Sequence, residues 1–195
     1  MSPRAMRKIV LTLSLALCLG LAANALAAEP PQDQRKHTAL GKYVTAVEAH
    51  ELWKNGAGKV SIVDVRTPEE YDFVGHPAMA PNVPVQLWVG VFDAQKKAMP
   101  LADNPAFVEL MKQRFKPGDA LVVMCRSGHR SALAARKLIE AGFTNVYNMV
   151  DGFEGDKVAD KASPDYGKRT KDGWRNSKLA WTTDLDEKLI YQPAK

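Results

Sequence analysis

The sequence predicts an α/β fold, an open and mainly parallel sheet with helices on both faces. Three observations carry this: a β-branched run at residues 60–65, an uninterrupted apolar run at residues 120–124, and helix-start signals that follow each run directly. Taken in order, Thr45-Ala46-Val47-Glu48 has capping-box spacing and opens a helix through Trp53 that Gly56 can end. Val60-Ser61-Ile62-Val63-Asp64-Val65 is a strand bounded by Gly58 and Pro68. Thr67-Pro68-Glu69-Glu70 supplies an N-cap, a proline at the first helical position and a capping-box glutamate, so strand passes straight into helix.

The middle of the chain is less regular. Residues 75–84 read as an irregular turn and residues 83–91 as extended chain. Asn104-Pro105 starts a further helix, with Phe107, Leu110, Met111 and Phe115 on one face and Pro117-Gly118 as its stop. The apolar strand Ala120-Leu121-Val122-Val123-Met124 suits a central position covered on both faces. A short loop leads from it into a helix over residues 131–141, ended by Gly142, and residues 145–150 form a last strand. In sheets of this kind ligands bind at the carboxyl ends of the strands. Asp64-Val65-Arg66, Cys125 and Asp151-Gly152 are all expected at that edge.

The first 27 residues differ in composition from the rest. Arg4, Arg7 and Lys8 precede an apolar stretch over residues 9–23, and Ala25-Leu26-Ala27 offers small residues where a signal peptidase reads. The expectation is a cleaved signal peptide (1–27) and a periplasmic or otherwise exported protein, since the apolar run is short for a membrane span. Cleavage removes three of the 27 basic residues and none of the 22 acids, so the formal charge falls from +5 to +2. That balance gives no reason to expect nucleic acid or a membrane surface as partner. The remaining length suits one domain, residues 41–156. Residues 28–40, with Pro30-Pro31 and several charges, read as a linker. Residues 157–195 read as an extension packed on the domain through Trp174 and Trp181.

Of the two cysteines, Cys18 leaves with the signal, and Cys125 stands alone with no disulfide partner. A free thiol in an oxidising compartment requires burial or a use. A tight turn from a strand into a helix directs backbone N–H groups and the helix dipole at one point, which favours an anion such as a thiolate. Arg126, His129 and Arg130 add charge around it, and Gly128 permits the turn. The four histidines, His37, His50, His76 and His129, lack metal-ligand spacing, so no metal is expected.

Cys125-Arg126-Ser127-Gly128-His129-Arg130-Ser131 resembles the active-site loop of the rhodanese family. Asp64-Val65-Arg66 with Glu69-Glu70-Tyr71, Gly75-His76 with Asn82-Val83-Pro84, and Asp151-Gly152-Phe153 are similar to further signatures of that family, in the same order. The chain departs from the pattern at Pro77-Ala78-Met79-Ala80-Pro81 and at Asp151, which bears on substrate preference.

The resemblance implies a rhodanese-like fold and a sulfurtransferase without cofactor. Cys125 would attack the outer sulfur of a small anionic donor such as thiosulfate, release sulfite, hold a persulfide and pass it to a thiophilic acceptor such as a protein thiol. Arg126, Ser127, Gly128, His129, Arg130 and Ser131 would line the substrate, with Arg130 first and Arg126 second to steer the donor. Arg66 is expected to pair with Glu69 or Glu70, and His76 to bond backbone.

Two rivals come from other classes. A phosphatase or arsenate reductase also cradles an anion around a cysteine, but its signature places five residues before the arginine, against four between Cys125 and Arg130 here. The other rival is a non-enzymatic periplasmic sulfur carrier or binding module of an exported redox system, since a carrier and an enzyme share the same persulfide.

Overall fold

The computed structural model describes residues 28–193. The expected signal peptide lies outside the described residues. Four strands, β1 (Tyr43–Val44), β2 (Val60–Asp64), β5 (Ala120–Met124) and β6 (Val146–Met149), form one parallel sheet in the order β1-β6-β5-β2. Helices α1 (Ala46–Asn55), α2 (Pro68–Val74), α3 (Phe107–Arg114) and α4 (His129–Glu140) connect and cover it. Beyond β2 the chain returns along the same edge. Asp64 donates to Pro81 O at 2.9 Å and accepts from Val83 at 2.9 Å, while Val85 donates to Val65 O at 3.2 Å.

Strand β5 shows how the pattern makes two cores. Leu121, Val123 and Cys125 face one side with Val63, Phe107, Met111 and Leu138, whereas Val122 and Met124 face the other with Val44, Ile62, Ala49 and Phe153. Successive side chains of a strand point to opposite faces, so a run that is apolar at every position needs cover on both. The helical face expected from Phe107, Leu110, Met111 and Phe115 packs on the first of these cores.

Both capping boxes form, at Thr45 with Glu48 and at Thr67 with Glu70. Residues 83–91 contain strand β3 (Gln86–Trp88), and it pairs antiparallel with β4 (Leu101–Asp103), which sequence periodicity does not reveal. Three residues are too few to show a period.

The segment expected as a linker at residues 28–40 instead lies on the domain. It holds a 3-10 turn (Gln34–Lys36), and Lys36 is 5% exposed, donating to Val150 O at 2.9 Å and to Asp156 at 2.6 Å. Asn148 donates to Lys36 O at 2.9 Å, and Arg136 to His37 O at 2.9 Å. A lysine in a charged stretch suggests a solvated side chain, but here its aliphatic stem is buried and its ammonium is satisfied at the far end.

Beyond the last strand, Trp174 is fully buried in the second core and donates its indole N–H to Ala180 O at 2.8 Å. Trp181 stays 44% exposed, its ring edge against Phe153 at 6.1 Å between centroids. The chain there exchanges backbone hydrogen bonds between His76 and Thr182, both 2.9 Å. Gly75, at φ 91°, lies under the Trp181 ring, where a Cβ would collide with it.

Candidate active site

Cys125 follows the last residue of β5 and is buried. The chain then turns through Arg126 and Ser127 to Gly128, whose φ of 91° makes it the left-handed N-cap of α4. A side chain at Gly128 would run into Val150 O, so both its conformation and its surroundings demand glycine. The helix has no side-chain cap. Its entry is closed by sulfur: Gly128 N–H donates to Cys125 Sγ at 3.2 Å and the Ser131 hydroxyl to the same atom at 3.4 Å.

The loop is clamped from behind. Phe153 and Glu154 donate to Cys125 O and Arg126 O at 2.8 and 2.9 Å, and Asn148 donates to Gly128 O at 3.2 Å. Gly152, at φ 63°, passes so close to the loop backbone that a Cβ would overlap Cys125 O. The Asp151-Gly152-Phe153 turn therefore sets the position of the thiol. Asp151 itself serves a different turn. Its carboxylate accepts from Ala46 N at 2.8 Å and Gly173 N at 3.1 Å, and burial pushes its pKa up to about 6.

Helix α4 begins at His129, two residues before the expected start, which places His129 and Arg130 in its first turn. Their side chains are each held by a carboxylate from another part of the chain. His129 Nε2 meets Asp33 at 2.8 Å, and Arg35 followed by His129 holds that carboxyl far below the usual carboxylate range. Arg130 is bound by Glu70 on two nitrogens, at 2.5 and 2.7 Å. Burial works against the Glu70 charge, but Arg130 outweighs it and holds the carboxyl below its ordinary range. Arg130, the first-choice arginine for an anionic donor, thus meets the cleft with its charge already matched by Glu70, whereas Arg126, the second choice, has no carboxylate partner among the described residues. Arg126 is exposed, Ser127 is buried beside the loop, and both line the opening.

Arg66 also differs from expectation. It pairs with Asp64 rather than with Glu69 or Glu70, through Nη2 to Oδ2 at 2.5 Å and Nε to both oxygens at 3.0 Å. Nη2 further donates to Gly75 O at 2.7 Å, and the guanidinium lies 4.3 Å from the Phe153 ring centre. Burial opposes its charge, yet the adjacent Asp64 keeps its pKa above the ordinary arginine value. Glu70 is unavailable to it because Arg130 and the Thr67 backbone occupy that carboxylate. His76 bonds backbone, with Nδ1 3.0 Å from Tyr71 O, and stacks on the Tyr71 ring at 3.5 Å.

Above the loop opens a cleft of about 610 Å³ lined by Arg126, Ser127, His129 and Arg130, with Arg35, Arg136, Lys157 and Arg169 around it and Asp156 as its acid. Such a surface attracts anions to the mouth of the loop that carries Cys125. Among the described residues no group of His, Cys, Asp and Glu is arranged to hold a metal ion. The pairing of Glu70 with Arg130, and the places of Asn148 and Arg169 beside the loop, do not follow from the sequence. They arise from contacts across the fold, for which local spacing carries no signal.

Comparison with known proteins agrees with this geometry. The profile of the rhodanese-like domain matches residues 48–159. The chain is 36% identical over 110 residues to "Thiosulfate sulfurtransferase 16, chloroplastic" of Arabidopsis thaliana, covering 56% of this chain and 82% of that one. It is also 36% identical over 91 residues to "Senescence-associated protein DIN1" of Raphanus sativus, where the match spans 47% of this chain and less than half, 45%, of the radish protein. The crystal structure of Rv0390 from M. tuberculosis superposes with a TM-score of 0.57 at 29% identity, over 73% of this chain and 100% of that one. With more than half of its length inside the matched profile, the chain belongs to the rhodanese-like domain family.

Proposed function

We propose that this protein is a sulfurtransferase that carries sulfane sulfur as a persulfide on Cys125. The observation that supports it most is the setting of Cys125 Sγ, which receives Gly128 N–H at 3.2 Å and the Ser131 hydroxyl at 3.4 Å, in a loop whose Arg126 and Ser127 line a largely cationic cleft. In the first half-reaction the Cys125 thiolate attacks the outer sulfur of thiosulfate, and the S–S bond breaks with its electron pair leaving on sulfite. Gly128 and Ser131 then donate to the sulfur that carries negative charge, as oxyanion-hole donors do for oxygen. Arg126 draws in the anionic donor, while Glu70 holds Arg130 as a wall of the cleft. In the second half-reaction an acceptor thiol, such as that of a partner protein, takes the outer sulfur and returns the thiolate.

Intact mass of the protein before and after thiosulfate tests this directly. The expected result is a gain of one sulfur atom that cyanide removes, with no gain in Cys125→Ser. Sulfur gain retained in that variant would exclude Cys125 from the chemistry. Hydrolysis of aryl phosphates faster than sulfur transfer would replace the assignment with a phosphatase.

A further inference from the structure

With Arg130 neutralised by Glu70, the charge left to attract an anion sits farther out. Arg126 is exposed at the mouth, and Arg169 reaches the same cleft from the extension, beyond the 48–159 stretch that the family profile matches. Among the described residues neither forms an ion pair.

Arg169 is held in place from both ends. Its guanidinium donates to Gly155 O. Its own carbonyl accepts from Asn176, which also donates to Glu154 O at 3.0 Å and Asp172 O at 2.8 Å. Glu154 in turn donates its N–H to Arg126 O at 2.9 Å, so one set of hydrogen bonds links the extension to the Cys125 loop. Burial, and next the positive charge of Arg126, lower the Arg169 pKa below the ordinary arginine value. Glu154 and Asp156 offset part of this repulsion, but each already has a basic partner, Arg175 and Lys36, so an anion between the two arginines would relieve the rest. The cleft, at about 610 Å³, is large enough to admit an organic ligand as well as a small anion.

We propose that Arg126 and Arg169 form an outer anion subsite that holds the carboxylates of an organic sulfur carrier, a dicarboxylate thiol or its persulfide, while its sulfur reaches Cys125. Two guanidinium forks match carboxylates in shape as well as charge. The inference rests on the sulfurtransferase reading and adds the class of carrier. In the loading direction the Cys125 thiolate attacks the outer sulfur of R–S–SH. A bond forms to Sγ, the carrier S–S bond breaks with its electron pair leaving on R–S⁻, and the proton stays on the transferred sulfur. Discharge to a dicarboxylate thiol is the reverse.

The test compares sulfur-loaded wild type with Arg169→Gln and Arg126→Gln, the latter altering an exposed side chain. Discharge is measured to mercaptosuccinate and to uncharged 2-mercaptoethanol. Calorimetry on unloaded protein follows binding of methylthiosuccinate, which cannot accept sulfur. Each substitution should lower kcat/KM for mercaptosuccinate about tenfold more than for 2-mercaptoethanol, and weaken methylthiosuccinate binding by a similar factor. Equal losses with both acceptors, or unchanged methylthiosuccinate binding, would overturn the subsite. If wild type gains no sulfur from any donor, the sulfurtransferase reading falls. Calorimetric loss in the variants would then still uphold the anion subsite, and its absence would overturn that as well.

Discussion

Three strand-to-helix turns lie along the carboxyl edge of the sheet, and two of them differ from the third in what closes the helix. At the β2–α2 turn the anion is Glu70, in a capping box with Thr67, while Asp64 neutralises Arg66 beside it. At the β1–α1 turn the capping box of Thr45 and Glu48 is joined by the Asp151 carboxylate on Ala46 N–H. At the β5–α4 turn no side-chain oxygen accepts from the helix start; a backbone N–H of the turn points at Cys125 Sγ instead. A helix start favours a nearby negative group, and carboxylates or hydroxyls fill that need permanently. Leaving it to a thiol makes the closing atom a nucleophile. Two turns hold the fold, and the third is where chemistry can occur.

The largest loss of stability is expected at the β2–α2 turn. Asp64→Ala strands the fully buried Arg66 guanidinium, and loss of one partner of a buried pair costs about 3–5 kcal/mol. Urea unfolding should record that loss; a change near zero would mean that Gly75 O and the Phe153 ring suffice to hold the cation.

The β1–α1 turn differs from the other two in its response to pH. The Asp151 pKa is raised from its ordinary 3.8 to about 6, chiefly by burial, so between these values the folded state binds more protons than the unfolded chain. Stability referred to an Asp151→Asn variant should therefore fall as pH rises from about 4 to about 6 and level off above. The drop should be on the order of 1–3 kcal/mol. Unfolding curves of the two proteins across that window check it, and a difference that grows with pH would reverse the sign of burial's effect. The smallest effect is expected for Thr67→Ala, about 1 kcal/mol from the lost cap, measured by the same unfolding curves. A loss there as large as that of Asp64→Ala would show that the cap also secures Arg130 through Glu70.

What is legible in the sequence is local. Thr45 with Glu48, and Thr67 with Glu70, interact over three residues, so each box can be read before any fold is known. The Cys125 loop is likewise contiguous, and the apolar run before it announces a central strand. The partners that complete the site are not legible because they are distant in the chain. Glu70 and Arg130 lie 60 positions apart, and Asn148 reaches Lys36 across 112. Spacing assigns Arg66 to the acids that follow it, but the extended geometry of the turn returns its guanidinium to Asp64, two residues back. The segment before residue 41 has the composition of a linker, and it packs because distant partners wait for it: Val150, Asp156 and Asn148 for Lys36, Arg136 for His37 and His129 for Asp33. Composition describes a segment alone, whereas docking depends on its counterpart.

Because a sulfur atom stands in for a cap, the entrance to α4 is tied to the redox chemistry of one residue. A thiolate offers Gly128 N–H a full negative charge at 3.2 Å. Once a second sulfur is attached, that charge moves outward by an S–S bond of about 2.05 Å. The amide must follow it or lose its acceptor. On the proposed persulfide reading, cargo and secondary structure become two readings of one variable, and the exchange rate of the Gly128 amide hydrogen is expected to differ between the sulfur-charged and the empty protein.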